Sequence, residues 1–83
     1  MFKIDAATGD ATEVAKMTFA EAQAYVGGYV ERVRCQGDRW LLVNEEGLLC
    51  GLPVNTTASV LAGQPIVGNA VAVTAAEMKK ILK

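Results

Sequence analysis

The chain has no histidine, and this narrows its possible chemistry. Its two cysteines, Cys35 and Cys50, lack the imidazole that would activate either as a nucleophile, and neither a CxxC redox pair nor a zinc-ligand spacing is present. The adjacent carboxylates Glu45 and Glu46 sit in a turn-like stretch, where neighbouring side chains point apart, so they make a poor acid/base couple. They read either as a solvated hairpin tip or as a loop that contacts a partner or ligand. Arg32 and Arg34, two apart in an alternating segment, share one face of a strand. Together they can meet one phosphate or carboxylate; alternatively they stay solvated or pair with Asp38 or a glutamate. Asn55-Thr56-Thr57-Ala58-Ser59 is a hydroxyl-rich helix start that offers amides and hydroxyls to an anion. It lacks the glycine cradle and lysine of a P-loop, and plain helix capping also accounts for Asn55. Tyr29 and Trp40 can stack on a base or serve as buried aromatics. The expectation is a non-catalytic protein with no cofactor and no metal site. The candidate ligand-binding residues are Arg32, Arg34, Asn55, Thr56, Thr57 and Ser59, with Glu45 and Glu46 as a candidate partner-contacting loop.

The elements that must position these residues follow from local signals. Phe2 to Asp5 reads as a strand, Thr8-Gly9-Asp10 as a turn, and Ala11 to Met17 as a returning strand. Thr18-Phe19-Ala20-Glu21 is a capping box that opens a helix with Phe19, Ala22, Tyr25 and Val26 on its inner face, stopped by Gly27-Gly28. Gly28 to Cys35 alternates, Arg39 to Val43 is apolar on both faces and therefore central, and Leu48 to Leu52 follows the turn Asn44-Glu45-Glu46-Gly47 as a third strand. These three predict a β-meander. Asn55 caps a short helix over Thr56 to Leu61, ending at Gly63; Ile66-Val67 and Ala70 to Thr74 read as a strand either interrupted or entered at Gly68. Thr74 opens a last helix through a second capping box with Glu77. The fold class predicted is α+β: one domain, with a small antiparallel β-meander sheet and two or three short helices.

Eighty-three residues lie near the lower limit for an unaided core, yet the chain is 52% hydrophobic and 20% charged, against about 25% charged in an ordinary domain. The surplus fits a dense core or a buried homo-oligomer face, and a homo-oligomer is expected. A net charge of −1 without a basic block argues against general nucleic-acid binding. No run reaches the roughly 18–20 apolar residues of a membrane span, and the N-terminus lacks the pattern of a signal peptide, so a cytoplasmic protein is expected. With Cys35 and Cys50 on strands flanking a common middle strand, their separation of about 9–10 Å exceeds the roughly 7 Å limit of a disulfide. Both are expected as buried free thiols.

Four ordered motifs carry a resemblance: Gly27-Gly28-Tyr29-Val30-Glu31, Val43-Asn44-Glu45-Glu46-Gly47, Leu52-Pro53-Val54-Asn55-Thr56-Thr57-Ala58-Ser59, and Ile66-Val67-Gly68-Asn69. Over about residues 27–74 the chain resembles a family of small domains of unknown function carried by phages, prophages and plasmids. The family pattern often has an acidic residue where this chain has Asn69. The resemblance implies an accessory protein of a mobile genetic element and brings no catalytic residues with it. Two functions fit. One is a counter-defence module that binds and sequesters a signalling nucleotide, supported by the arginine pair, the hydroxyl-rich helix start and the expected oligomer. The other is a protein–protein inhibitor of a host defence nuclease or effector, supported by the apolar surplus. On sequence the nucleotide reading leads.

Overall fold

The computed structural model describes residues 1–82. Along the chain run β1 (Phe2–Ile4), β2 (Ala11–Glu13), α1 (Phe19–Val26), β3 (Val30–Arg34), β4 (Arg39–Asn44), α2 (Thr56–Ala62), β5 (Ala70–Thr74) and α3 (Ala75–Ile81). The five strands make one antiparallel sheet in the order β2-β1-β5-β4-β3, so the fold is α+β.

Alternation on β5 explains how the layers pack. Ala70 and Ala72 point to one face, where they join Ile4, Leu41, Val43, Ile66 and Ala58 of α2. Val71 and Val73 point to the other, joining Leu42, Ala22 of α1, and Met78 and Ile81 of α3. The alanines thus lie on the face that carries α2, and the larger valines lie on the face covered by α1 and α3. Leu41 and Leu42 are fully buried, one on each face, and each such burial is worth about 1.5–3 kcal/mol.

Both predicted capping boxes are present, with Thr18 and Glu21 exchanging hydrogen bonds at α1 and Thr74 and Glu77 at α3. Gly27 ends α1 in the left-handed region at φ 84°, a conformation a side chain resists. Ala22 and Val26 form the buried face of α1 as expected, whereas Phe19 remains 42% exposed.

Three strand assignments need correction, and the simplest is Ile66-Val67, where Val67 makes only an isolated antiparallel bridge to Val54 and β5 starts at Ala70. The returning strand of the first hairpin covers only Ala11–Glu13 of the expected Ala11 to Met17. More consequentially, Leu48 to Leu52 is not a strand. After β4 the chain winds through successive turns, with Cys50 N–H donating to the Glu46 carbonyl, Gly51 to Leu48 and Leu52 to Gly47. These amides are satisfied inside the loop, and Gly51 at φ 66° is incompatible with extended backbone. The place beside β4 goes to β5, with Trp40 opposite Val73 and Leu42 opposite Val71. The sheet is therefore β3-β4-β5 at this end, with α2 inserted between the last two.

Candidate binding surface

β3 is an edge strand, and its regular register with β4 fixes the direction of every group on it. Glu45 N–H donates to the Tyr29 carbonyl and Cys35 N–H to the Arg39 carbonyl, so the odd-numbered residues are the hydrogen-bonded partners of β4. Val30, Arg32 and Arg34 consequently turn their N–H and C=O groups outward, away from β4. No strand pairs with that side among the described residues.

The side chains of β3 divide between the two faces. Val30, Arg32 and Arg34 lie on the α1/α3 face, where Val30 packs into the core and the Arg34 guanidinium sits 5.8 Å from the centre of the Trp40 ring. Both arginines are exposed, and the single ion pair among the described residues, between the Met1 ammonium and Glu77, does not involve them. Glu31 and Val33 lie on the α2 face. There a groove of about 430 Å³ is lined by Glu31, Val33, Glu46, Leu48, Leu49 and Pro65, among others.

Leu48 and Leu49 are the most exposed large apolar residues, at 82% and 85%, followed by Val60 at 77% and Tyr29 at 68%. Two features hold their loop in place. The Asn44 side chain accepts from Glu46 N–H at 2.8 Å and donates to the Val26 carbonyl at 3.1 Å, tying the turn to the end of α1. Gly47 is buried against Val67, where an added Cβ would come within 2.8 Å of Cγ2. Glu45 and Glu46 are exposed at the start of this loop rather than at the tip of a hairpin.

The hydroxyl-rich helix start is committed to internal contacts. Asn55 is fully buried; its amide donates to the carbonyls of Ile4 and Gly68, and its oxygen accepts from Ala58 N–H as the cap of α2. Thr57 donates to the Gly9 carbonyl at 2.7 Å, fastening α2 to the first hairpin. The Ser59 hydroxyl donates to the Asn55 carbonyl and accepts from Ile66 N–H. Thr56 alone of this group is exposed. Because α2 covers one face of the sheet and the arginines project from the other, the fold does not bring Arg32 and Arg34 together with Asn55, Thr56, Thr57 and Ser59.

The cysteines differ from each other. Cys35 is buried, and burial raises its thiol pKa above the ordinary value, while Cys50 is an exposed free thiol on the 45–52 loop. The expected burial of Cys50 fails because the strand that would have carried it inward does not form. Asn69 bridges two backbone segments, accepting from Ala6 N–H and donating to the Tyr25 carbonyl. An acidic residue there would supply the acceptor but not the donor. Sequence reasoning missed Leu48 and Leu49, because an adjacent leucine pair read as part of a strand also reads as core.

A family model described as a domain of unknown function (DUF3846) matches residues 3–81. The match extends beyond the motifs at 27–74 to take in the opening hairpin and the last helix. No curated protein and no solved structure matches the chain.

Proposed function

This chain belongs to the DUF3846 family, a domain of unknown function, and on that premise we propose that it is a small non-catalytic accessory protein that acts by docking another protein on the groove beside Leu48 and Leu49. The exposure of that leucine pair on a loop anchored by the hydrogen bonds of Asn44 and the close packing of Gly47 carries this reading. An apolar patch that the fold presents, and does not merely fail to cover, is the usual mark of an interaction site. The exposed carboxylates Glu45 and Glu46 supply a polar rim beside it.

The resemblance to domains of phages, prophages and plasmids supplies the context: the partner is a host defence nuclease or effector, met in the host cytoplasm, and the protein inhibits it. Among the described residues no helix is long and apolar enough to cross a membrane. Sequestration of a signalling nucleotide has weaker support, because Asn55, Thr57 and Ser59 are occupied and the arginine pair lies on the opposite face of the sheet.

The test is a pull-down from host extract with the parent and with Leu48→Asp/Leu49→Asp. Both positions are solvent-exposed, so the variant should keep the parent's melting temperature and lose the captured protein. Equal capture by both proteins contradicts the reading. Native mass spectrometry on the same preparations separates the alternatives: an added mass of a few hundred daltons marks a retained nucleotide, and a multiple of the chain mass marks self-association through this face.

A further inference from the structure

We propose that the partner is recognised by strand addition: an extended segment with acidic side chains at alternate positions adds to the outer edge of β3, with its carboxylates on Arg32 and Arg34. This inference rests on the protein-docking reading and names the mode and chemistry of recognition. Three observations carry it. First, β3 keeps a regular register over all five residues and holds neither a proline nor a bulge, so its outer ladder is unbroken, and its charged side chains restrict pairing to a strand of complementary charge. Its outward N–H and C=O groups at Val30, Arg32 and Arg34 form a ready ladder for another strand. Second, the arginines stand on one face of that edge without carboxylate partners among the described residues, and the Trp40 ring beside Arg34 gives that cation a preferred position. Third, the other face of the same edge opens into the groove where Val33, Leu48 and Leu49 can take the apolar side chains that alternate with the acidic ones, while Glu31, Glu45 and Glu46 on the same groove disfavour acidic side chains on that face.

The same arginines argue against a second copy of this chain as the occupant. In an antiparallel pairing of two β3 strands about a twofold axis, the outward-facing residues must meet one another, which places arginines of the two copies opposite or diagonal to each other. Like charges so placed are destabilising. β2, at the far edge, has only three residues and no cationic side chain, so it offers no equivalent platform.

The probe is a blocked heptapeptide of alternating aspartate and valine, compared with the same peptide carrying lysine for aspartate. The aspartate peptide should bind about tenfold more tightly, since two exposed ion pairs are gained in one case and two repulsions met in the other. Its binding should slow amide hydrogen exchange at Val30, Arg32 and Arg34, whereas the Glu31 and Val33 amides already point toward β4. In Arg32→Glu/Arg34→Glu the preference should reverse toward the lysine peptide, a result that also shows the variant is folded. Equal binding of the two peptides, binding of neither, or tight aspartate-peptide binding without slowed exchange at those three amides overturns strand addition. If that happens while Leu48→Asp/Leu49→Asp still abolishes capture of the host protein, the docking reading survives and only the recognition mode falls.

Discussion

A buried asparagine shows how a side chain that looks like a ligand binder can be structural. Asn55 sits in a run of hydroxyls at a helix start, and on sequence both a cap and an anion contact were open to it. Its complete burial with three satisfied hydrogen bonds decides for the cap and adds a role no local pattern encodes, the joining of β1 and the Gly68 turn to α2. Asn55→Ala would leave two carbonyls without this donor and the Ala58 amide without its acceptor. The expected loss is about 2–4 kcal/mol, read from the midpoint of urea unfolding. A loss below about 0.5 kcal/mol, the scale of a neutral surface change, would contradict the assignment. Asn44 plays the matching part at the other site, and its two bonds to Val26 and Glu46 tie α1 to the loop that carries Leu48 and Leu49. That connection was not legible in advance, since Asn44 read simply as a turn residue.

The elements specified by adjacent residues were legible in the sequence, and those specified by distant pairing were less so. Both capping boxes and the glycine stops at Gly27 and Gly63 form as read, because each is a contact within a few residues. The third strand of the expected meander fails because apolar content alone does not distinguish Leu48 to Leu52 from Ala70 to Thr74 as partners for β4. The choice turns on Gly51, on the loop's internal hydrogen bonds, and on a strand that can bury both faces.

The capping boxes also set an acid response. Glu21 accepts from Thr18 N–H, and Glu77 accepts from Thr74 N–H; these backbone bonds are the leading cause that holds each carboxyl below its ordinary value of 4.5. A carboxylate with a depressed folded pKa contributes stability above its unfolded pKa and loses it as pH falls through the folded value. Stability should therefore decline as pH drops below about 4.5, and Glu21→Gln/Glu77→Gln, which keeps a neutral acceptor, should decline less over that range. Parallel pH–stability curves for the two proteins would remove these boxes from the acid response.

For the molecule as a whole, the α+β class follows from the spacing of strands and helices, while the location of the apolar surplus does not. The sheet separates two cores, with α1 and α3 over one and α2 over the other. Of what remains outside, Leu48 and Leu49 are the most exposed and adjoin the groove beside β3, while Val60, Tyr29 and Val54 are exposed elsewhere. A sequence cannot show this, because a leucine pair in a half-read strand is indistinguishable from core until its strand fails to form.

Cys50 gives that surface a built-in reporter. It lies one residue beyond Leu49 and is exposed, whereas Cys35 is buried with its thiol held protonated to higher pH, so a thiol-directed photocross-linker should attach to Cys50 alone. The decisive measurement is photocross-linking of that labelled protein in host extract, with the joined peptides identified by mass spectrometry. The account predicts one host protein joined through Cys50 and lost in Leu48→Asp/Leu49→Asp. Cross-links only between copies of this chain, or a host cross-link unchanged in that variant, would contradict it.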